Sequence, residues 1–131
     1  MTKHYLYLLL LGLICGCASI GLQELFSGVE EAPTSSYGYS IDDPIKLGYY
    51  GLNESISASK TYISRLRLQG EPLVVIYRAS TQNPADKNKP LDLYRLVTES
   101  AEDTIALYVD VYHKAPVWAP RGLTFVGASM E

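Results

Sequence analysis

Between residues 104 and 112 the chain keeps a strict period of two: Ile105, Leu107, Val109 and Val111 alternate with Thr104, Ala106, Tyr108, Asp110 and Tyr112. That period belongs to a strand with one buried face. A lone strand or hairpin is marginal in water, so the rest of the chain must supply partner strands and a layer to cover the apolar face. Residues 73–78 and 91–97 are rich in branched and aromatic residues and read as two further strands. The polar stretch 98–103 suits a hairpin connection to the alternating strand.

A helix is expected over about residues 54–66, with Asn53 and Ser55 offering capping chemistry and Ile56, Ile63 and Leu66 on one face beside Tyr62. Residues 54–68 also admit a strand, because Tyr62, Leu66 and Leu68 fit a period of two and Thr61, Tyr62 and Ile63 suit extended backbone. Gly70-Glu71-Pro72 ends the element under either reading. The fold class is therefore α+β: one helix packed on a small antiparallel sheet of about three to five strands.

Alternation sets the parity expected of the hairpin. Leu91, Leu93 and Val97 should share a face with Ile105, Leu107, Val109 and Val111, leaving Asp92, Tyr94 and Leu96 with Tyr108, Asp110 and Tyr112. Arg95 then intrudes on the apolar side, its stem along the core edge and its guanidinium reaching out. The opposite face presents Tyr94, Tyr108, Asp110 and Tyr112 as a possible binding surface, since aromatic rings with polar tips stack on sugars, peptides or other rings.

The N-terminus has a different character. Lys3 and His4 precede an apolar run over residues 5–14, and Leu11-Gly12-Leu13-Ile14-Cys15-Gly16-Cys17 closes it. The pattern resembles a bacterial lipoprotein signal, with Gly16 as the small residue before the scissile bond and Cys17 as the lipidation site. The run is about half the roughly 20 apolar residues that a span requires. An uncleaved helix continuing through Ala18, Ile20 and Leu22 is the competing reading, and Gly12, Gly16, Ser19 and Gly21 interrupt it. Two or three acyl chains at about 0.8 kcal/mol per buried CH₂ anchor a protein without crossing the bilayer.

On this reading residues 1–16 are a signal peptide and 17–36 a lipidated cysteine and tether. Residues 37–131 are then a single small α+β domain. Ile20, Leu22, Leu25, Phe26 and Val29 could instead form an amphipathic turn on the membrane surface.

Processing removes Cys15 and blocks Cys17, so no thiol remains for a disulfide, a redox pair or a thiolate metal site. Without Lys3, ten basic residues face fourteen acidic ones, a dispersed charge of about −4 that does not suit a phosphate backbone and excludes nucleic acid as a partner.

Catalytic chemistry finds little support. No nucleophile elbow, zinc-binding HExxH, CxxC or phosphate-cradling glycine loop is present, and no catalytic residue, metal ligand or cofactor is expected. His113, the one histidine left after processing, reads as a solvated strand-end residue with no constellation around it. Asp42 and Asp43 before Pro44 read as turn formers. Asp86-Lys87-Asn88 begins like a calcium loop, but Pro90 stands where a ligand belongs.

Six different short segments follow one another along the domain: Tyr37-Gly38-Tyr39-Ser40, Asp43-Pro44-Ile45-Lys46-Leu47-Gly48, Gly70-Glu71-Pro72-Leu73, Pro90-Leu91-Asp92-Leu93-Tyr94, Leu107-Tyr108-Val109-Asp110-Val111-Tyr112 and Ala119-Pro120-Arg121-Gly122-Leu123. Their arrangement resembles a family of small bacterial lipoproteins of uncharacterised function. The resemblance implies the small α+β fold and a cell-envelope address, and brings no catalytic residue with it. The expectation is a non-enzymatic, membrane-anchored envelope lipoprotein contacting another envelope protein or polymer, sorted to the outer membrane if the cell has two. A carbohydrate- or peptide-binding module on the tyrosine face is the alternative.

Overall fold

A computed structural model describes residues 26–48, 52–100 and 103–127. Along the chain these form β1 (Ile45–Lys46), α1 (Leu52–Arg65), β2 (Leu66–Leu68), β3 (Glu71–Pro72), β4 (Val74–Thr81), β5 (Leu91–Val97), β6 (Ile105–Asp110) and β7 (Thr124–Phe125). The architecture is α+β, with α1 packed on a four-stranded sheet of order β1-β6-β5-β4. That sheet is mixed rather than purely antiparallel, because β1 runs parallel to β6. A second, three-stranded sheet of order β3-β2-β7 is assembled from pieces of two or three residues.

Both readings of residues 54–68 hold, in succession. The helix ends at Arg65 and the chain passes directly into β2. Gln69 and Gly70 then turn it back into β3 with φ of 51° and 81°, the positive pair that a two-residue hairpin loop requires. Glu54 in the first turn and Arg65 in the last complement the helix dipole.

The buried stripe of α1 is Ser55, Ala58, Ser59, Tyr62 and Ile63, continued by Leu66. It follows helical spacing, but two of its members are serines, which hide it from a search for apolar residues. Ser55 is therefore an inward-facing residue of the helix instead of a cap, and Ile56 lies off the stripe, only half-buried. Ser59 Oγ donates to the Ser55 carbonyl at 2.8 Å, which keeps its hydroxyl satisfied without a tertiary partner.

The hairpin parity is the reverse of the one expected from alternation. Asp92 opposes Val109, Tyr94 opposes Leu107 and Leu96 opposes Ile105, so these six share the core face. Leu93 opposes Tyr108 and Arg95 opposes Ala106 on the other face. The reason is Arg95. Keeping Leu91 and Leu93 inward draws a guanidinium towards the core, and desolvating that charge costs more than the 1.5–3 kcal/mol or so that burying one leucine returns. One step of register puts Arg95 in water and uses Tyr94 and Leu96 as the inward pair.

The domain also starts earlier than the composition suggests. Phe26 is buried against Tyr62 and Phe125, with ring centroids 5.8 and 5.7 Å apart. Ala32 N–H donates to the Ala119 carbonyl and Ala119 N–H to the Glu30 carbonyl, each at 2.8 Å. Arg121 donates to the Ala32 and Pro33 carbonyls at 3.1 and 2.6 Å. Residues 26–36, expected as tether, are thus part of the folded unit, and Phe26 and Val29 of the imagined membrane-surface turn pack on the core. Ile20, Leu22 and Leu25 lie outside the described residues. The C-terminal segment packs back on the core, burying Ala119 and Leu123 and closing on α1 through Val126 N–H to the Arg65 carbonyl.

Gly48 holds β1 against the end of β6. Its N–H donates to the His113 carbonyl at 3.0 Å, and a Cβ there would meet the Tyr112 carbonyl carbon at 2.5 Å and the His113 nitrogen at 2.6 Å. Both obstacles are backbone and cannot swing aside. Gly48→Ala is expected to lower stability by about 2 kcal/mol or more, read as a lowered midpoint in a urea titration with little change in slope.

Candidate functional site

The four residues expected to share a binding face are separated. Tyr94 is 4% exposed on the core face, its ring 5.5 Å from the Arg78 guanidinium. Burial pushes its phenol up, against the lowering pull of Arg78. Tyr108 lies half-buried on the opposite face, beside Leu93. Asp110 is 1% exposed, and Tyr112 stands in solvent beyond the end of β6 with the Lys89 ammonium 5.0 Å from its ring. Cys17, the expected lipidation site, lies outside the described residues.

What the chain does assemble is centred on Asp110 and His113. Asp110 Oδ1 accepts the backbone N–H groups of Tyr112 and His113 at 2.8 and 3.1 Å, which fixes the turn after β6. Oδ2 lies 2.7 Å from His113 Nδ1 and accepts the Asn83 amide at 3.4 Å. On the far side of the imidazole, Nε2 lies 3.1 Å from Asp86 Oδ2. Asn83 is itself buried and receives the Ala85 N–H, while Asp86 receives the Asn88 N–H, so both carboxamide and carboxylate also order the loop before β5.

The expectation of an isolated His113 is thus corrected. The signal lay in topology: with Asp92 opposite Val109, the loop entering β5 must cross the turn leaving β6.

A cavity of about 240 Å³ adjoins this cluster, lined by Ile41, Asp42, Pro44, Lys46 and Ala85 as well as Asn83, Asp86, Asp110 and His113. An imidazole oriented by a buried aspartate has the geometry of a general base. Here, however, its outward nitrogen is held by Asp86, and the lining carries no hydroxyl or thiol for it to activate. The cluster pins loop 82–90 across the sheet end. Asp42 and Asp43 do not act as a pair: Asp43 takes the hydroxyls of Thr34 and Ser36 at 3.0 and 2.7 Å, while Asp42 lines the cavity. Among the described residues no group of three or more His, Cys, Asp or Glu is placed to hold a metal ion.

The larger surface feature is β4. Among the described residues it has one sheet neighbour, β5, and leaves its other edge open. Val74, Val75, Ile76 and Tyr77 are 49, 43, 57 and 50% exposed, four consecutive large apolar side chains on one edge strand. The register slips between Val75 and Tyr77, so Ile76 sits in a bulge. Beyond them Arg78 bonds Asp92 at 3.2 Å, and Arg95 lies 5.8 Å from the Tyr77 ring. Edge strands usually carry charge, proline, a bulge or short length to discourage pairing; β4 has the bulge at Ile76, but it is eight residues long and its apolar run stays exposed.

Among the described residues no helix is long and apolar enough to cross a membrane. Compared with protein-family models, curated proteins and solved structures, the chain matches none of them.

Proposed function

We propose that the protein is a lipid-anchored component of the bacterial cell envelope that acts by contact, without catalysis, and that β4 is its contact surface. The observation that carries this reading is the half-exposed run Val74, Val75, Ile76 and Tyr77 on a strand edge that no other described strand pairs. Unpaired backbone groups with apolar side chains above and below them are what strand addition uses for affinity. A contact role, not a catalytic one, is supported by the Asp86 carboxylate on His113 Nε2 and by a cavity lining with no hydroxyl or thiol for that imidazole to activate. The carbohydrate- or peptide-binding alternative has no platform here, because Tyr94 and Tyr108 occupy opposite faces of the sheet.

The anchor rests on Cys17 and the apolar run before it. Phe26 lies nine positions after Cys17, so it stands no more than about 30 Å from that cysteine even at full extension. Cys17→Ser is expected to move the protein from the membrane fraction into the soluble one while its melting curve stays unchanged. Retention of the serine variant in washed membranes would defeat the anchor reading. Loss of crosslinked species from wild-type membranes on Val75→Lys is the matching result for the edge, and crosslinks unaffected by that change would rule β4 out.

A further inference from the structure

We infer that the partner of β4 is a second copy of this chain, joined edge to edge and antiparallel about a two-fold axis normal to the sheet; this rests on the contact reading above. Three observations lead there.

The first is face parity. Val74 opposes Val97 and Tyr77 opposes Arg95, which places both on the face away from the helix, whereas Val75 opposes Leu96 on the core face. Opposed residues in an antiparallel pair share a face. Val74 of one copy can therefore oppose Tyr77 of the other, and Val75 then meets the bulged Ile76. In that one register each exposed apolar side chain of the run finds an apolar neighbour in the second copy.

The second is charge. The Val74 end lies by Glu71, which accepts the Ser100 hydroxyl at 2.9 Å, and by the exposed Glu99. The Tyr77 end carries Arg95, 5.8 Å from the Tyr77 ring, next to the Arg78–Asp92 ion pair. Antiparallel self-pairing lays the acidic end of each copy along the basic end of the other and keeps like charges apart.

The third is the direction of the anchors. An axis normal to the sheet leaves the helix layers of both copies on the same side. Phe26, which packs against Tyr62 in that layer, then begins both domains on one side, and both lipids can enter one membrane. Four half-exposed side chains make a smaller contact than the roughly 800 Å² per partner of a standard interface. Confinement to one bilayer raises the effective concentration of each copy for the other and offsets that small area.

The test uses the full chain in its own membrane, carrying Val74→Cys and Tyr77→Cys, treated with a mild oxidant and run on a non-reducing gel beside each single variant and the wild type. Opposed Cα atoms of an antiparallel pair stand about 4.5–5.5 Å apart, within disulfide range. Within one chain these two positions are about 10 Å apart along the strand, too far to close on each other. The expected result is a disulfide-linked dimer of the double variant, with neither single variant rising above the wild-type background.

Equal bands from single and double variants would indicate collision without register and overturn the inference. A disulfide to a different protein overturns the second copy and leaves the contact reading standing. No crosslink at all, from a variant that melts like the wild type and stays with the membrane, overturns both.

Discussion

Replacing Tyr62 by alanine should remove most of the domain's stability. Tyr62 is wholly buried and joins parts of the chain that are remote in sequence: its ring meets Phe26 at 5.8 Å and Phe125 at 5.4 Å, and its hydroxyl donates to the Trp118 carbonyl at 2.5 Å. Burial first, then the neighbouring Tyr37 and Tyr39, push its phenol well above the ordinary value, so the hydroxyl stays protonated and remains a donor. Truncating a buried aromatic of this size costs about 3–5 kcal/mol, a large share of the 5–15 kcal/mol or so that holds a domain together.

At roughly 4–8 °C per kcal/mol for a domain of about 100 residues, thermal melting should fall by about 12–40 °C. Tyr62→Phe keeps the ring and strands only the Trp118 carbonyl, at a cost of about 1–2 kcal/mol. A Tyr62→Ala variant that melts within a few degrees of the wild type would show that the aromatic cluster does not carry the core.

Asp110→Ala should rank next, and its effect should be concentrated in one region. Four donors converge on this buried carboxylate: two backbone N–H groups, the Asn83 amide and the His113 ring. Removing the acceptor leaves buried donors without partners, and a loss of about 3 kcal/mol is expected. Asp110→Asn keeps an acceptor for the backbone but turns an amide N–H toward other donors, so it should cost less than alanine and more than a surface change.

Hydrogen exchange gives the regional readout. Protection of the Ala85, Asn88 and Lys89 amides should fall in Asp110→Ala, since the loop that holds them is pinned through Asn83 and Asp86. Exchange that rises evenly across β5 and β6 instead would mean that Asp110 supports the whole sheet and does not pin the loop.

Much of the fold was legible because its signals are local. Alternation over residues 104–112 contains β6, the branched and aromatic run over 91–97 coincides with β5, and the two descriptions of 54–68 turned out to be α1 followed by β2. The small sheet was not legible, since strands of two or three residues carry no period to read. Nor was the early start of the domain: Phe26 is one aromatic in a polar stretch, and only the space beside Tyr62 and Phe125 makes it core.

The candidate sites divide the same way. His113 and Asp110 are three residues apart, but Asn83 and Asp86 reach them only through the β5–β6 pairing. The apolar run of β4 reads like a central strand buried on both faces, and its position at a sheet edge is a fact about topology that residues 74–77 do not contain.

By itself the sequence determined the longer elements and the hairpin that joins β5 to β6, because periodicity and turn chemistry act over a few neighbouring residues. Only the tertiary structure decided which face of β5 is inside, which aspartates meet His113 and which of the described strands stands at the sheet edge. Those outcomes turn on a comparison between whole arrangements, in which keeping Arg95 in water outweighs burying Leu93, and no single segment holds both sides of that balance.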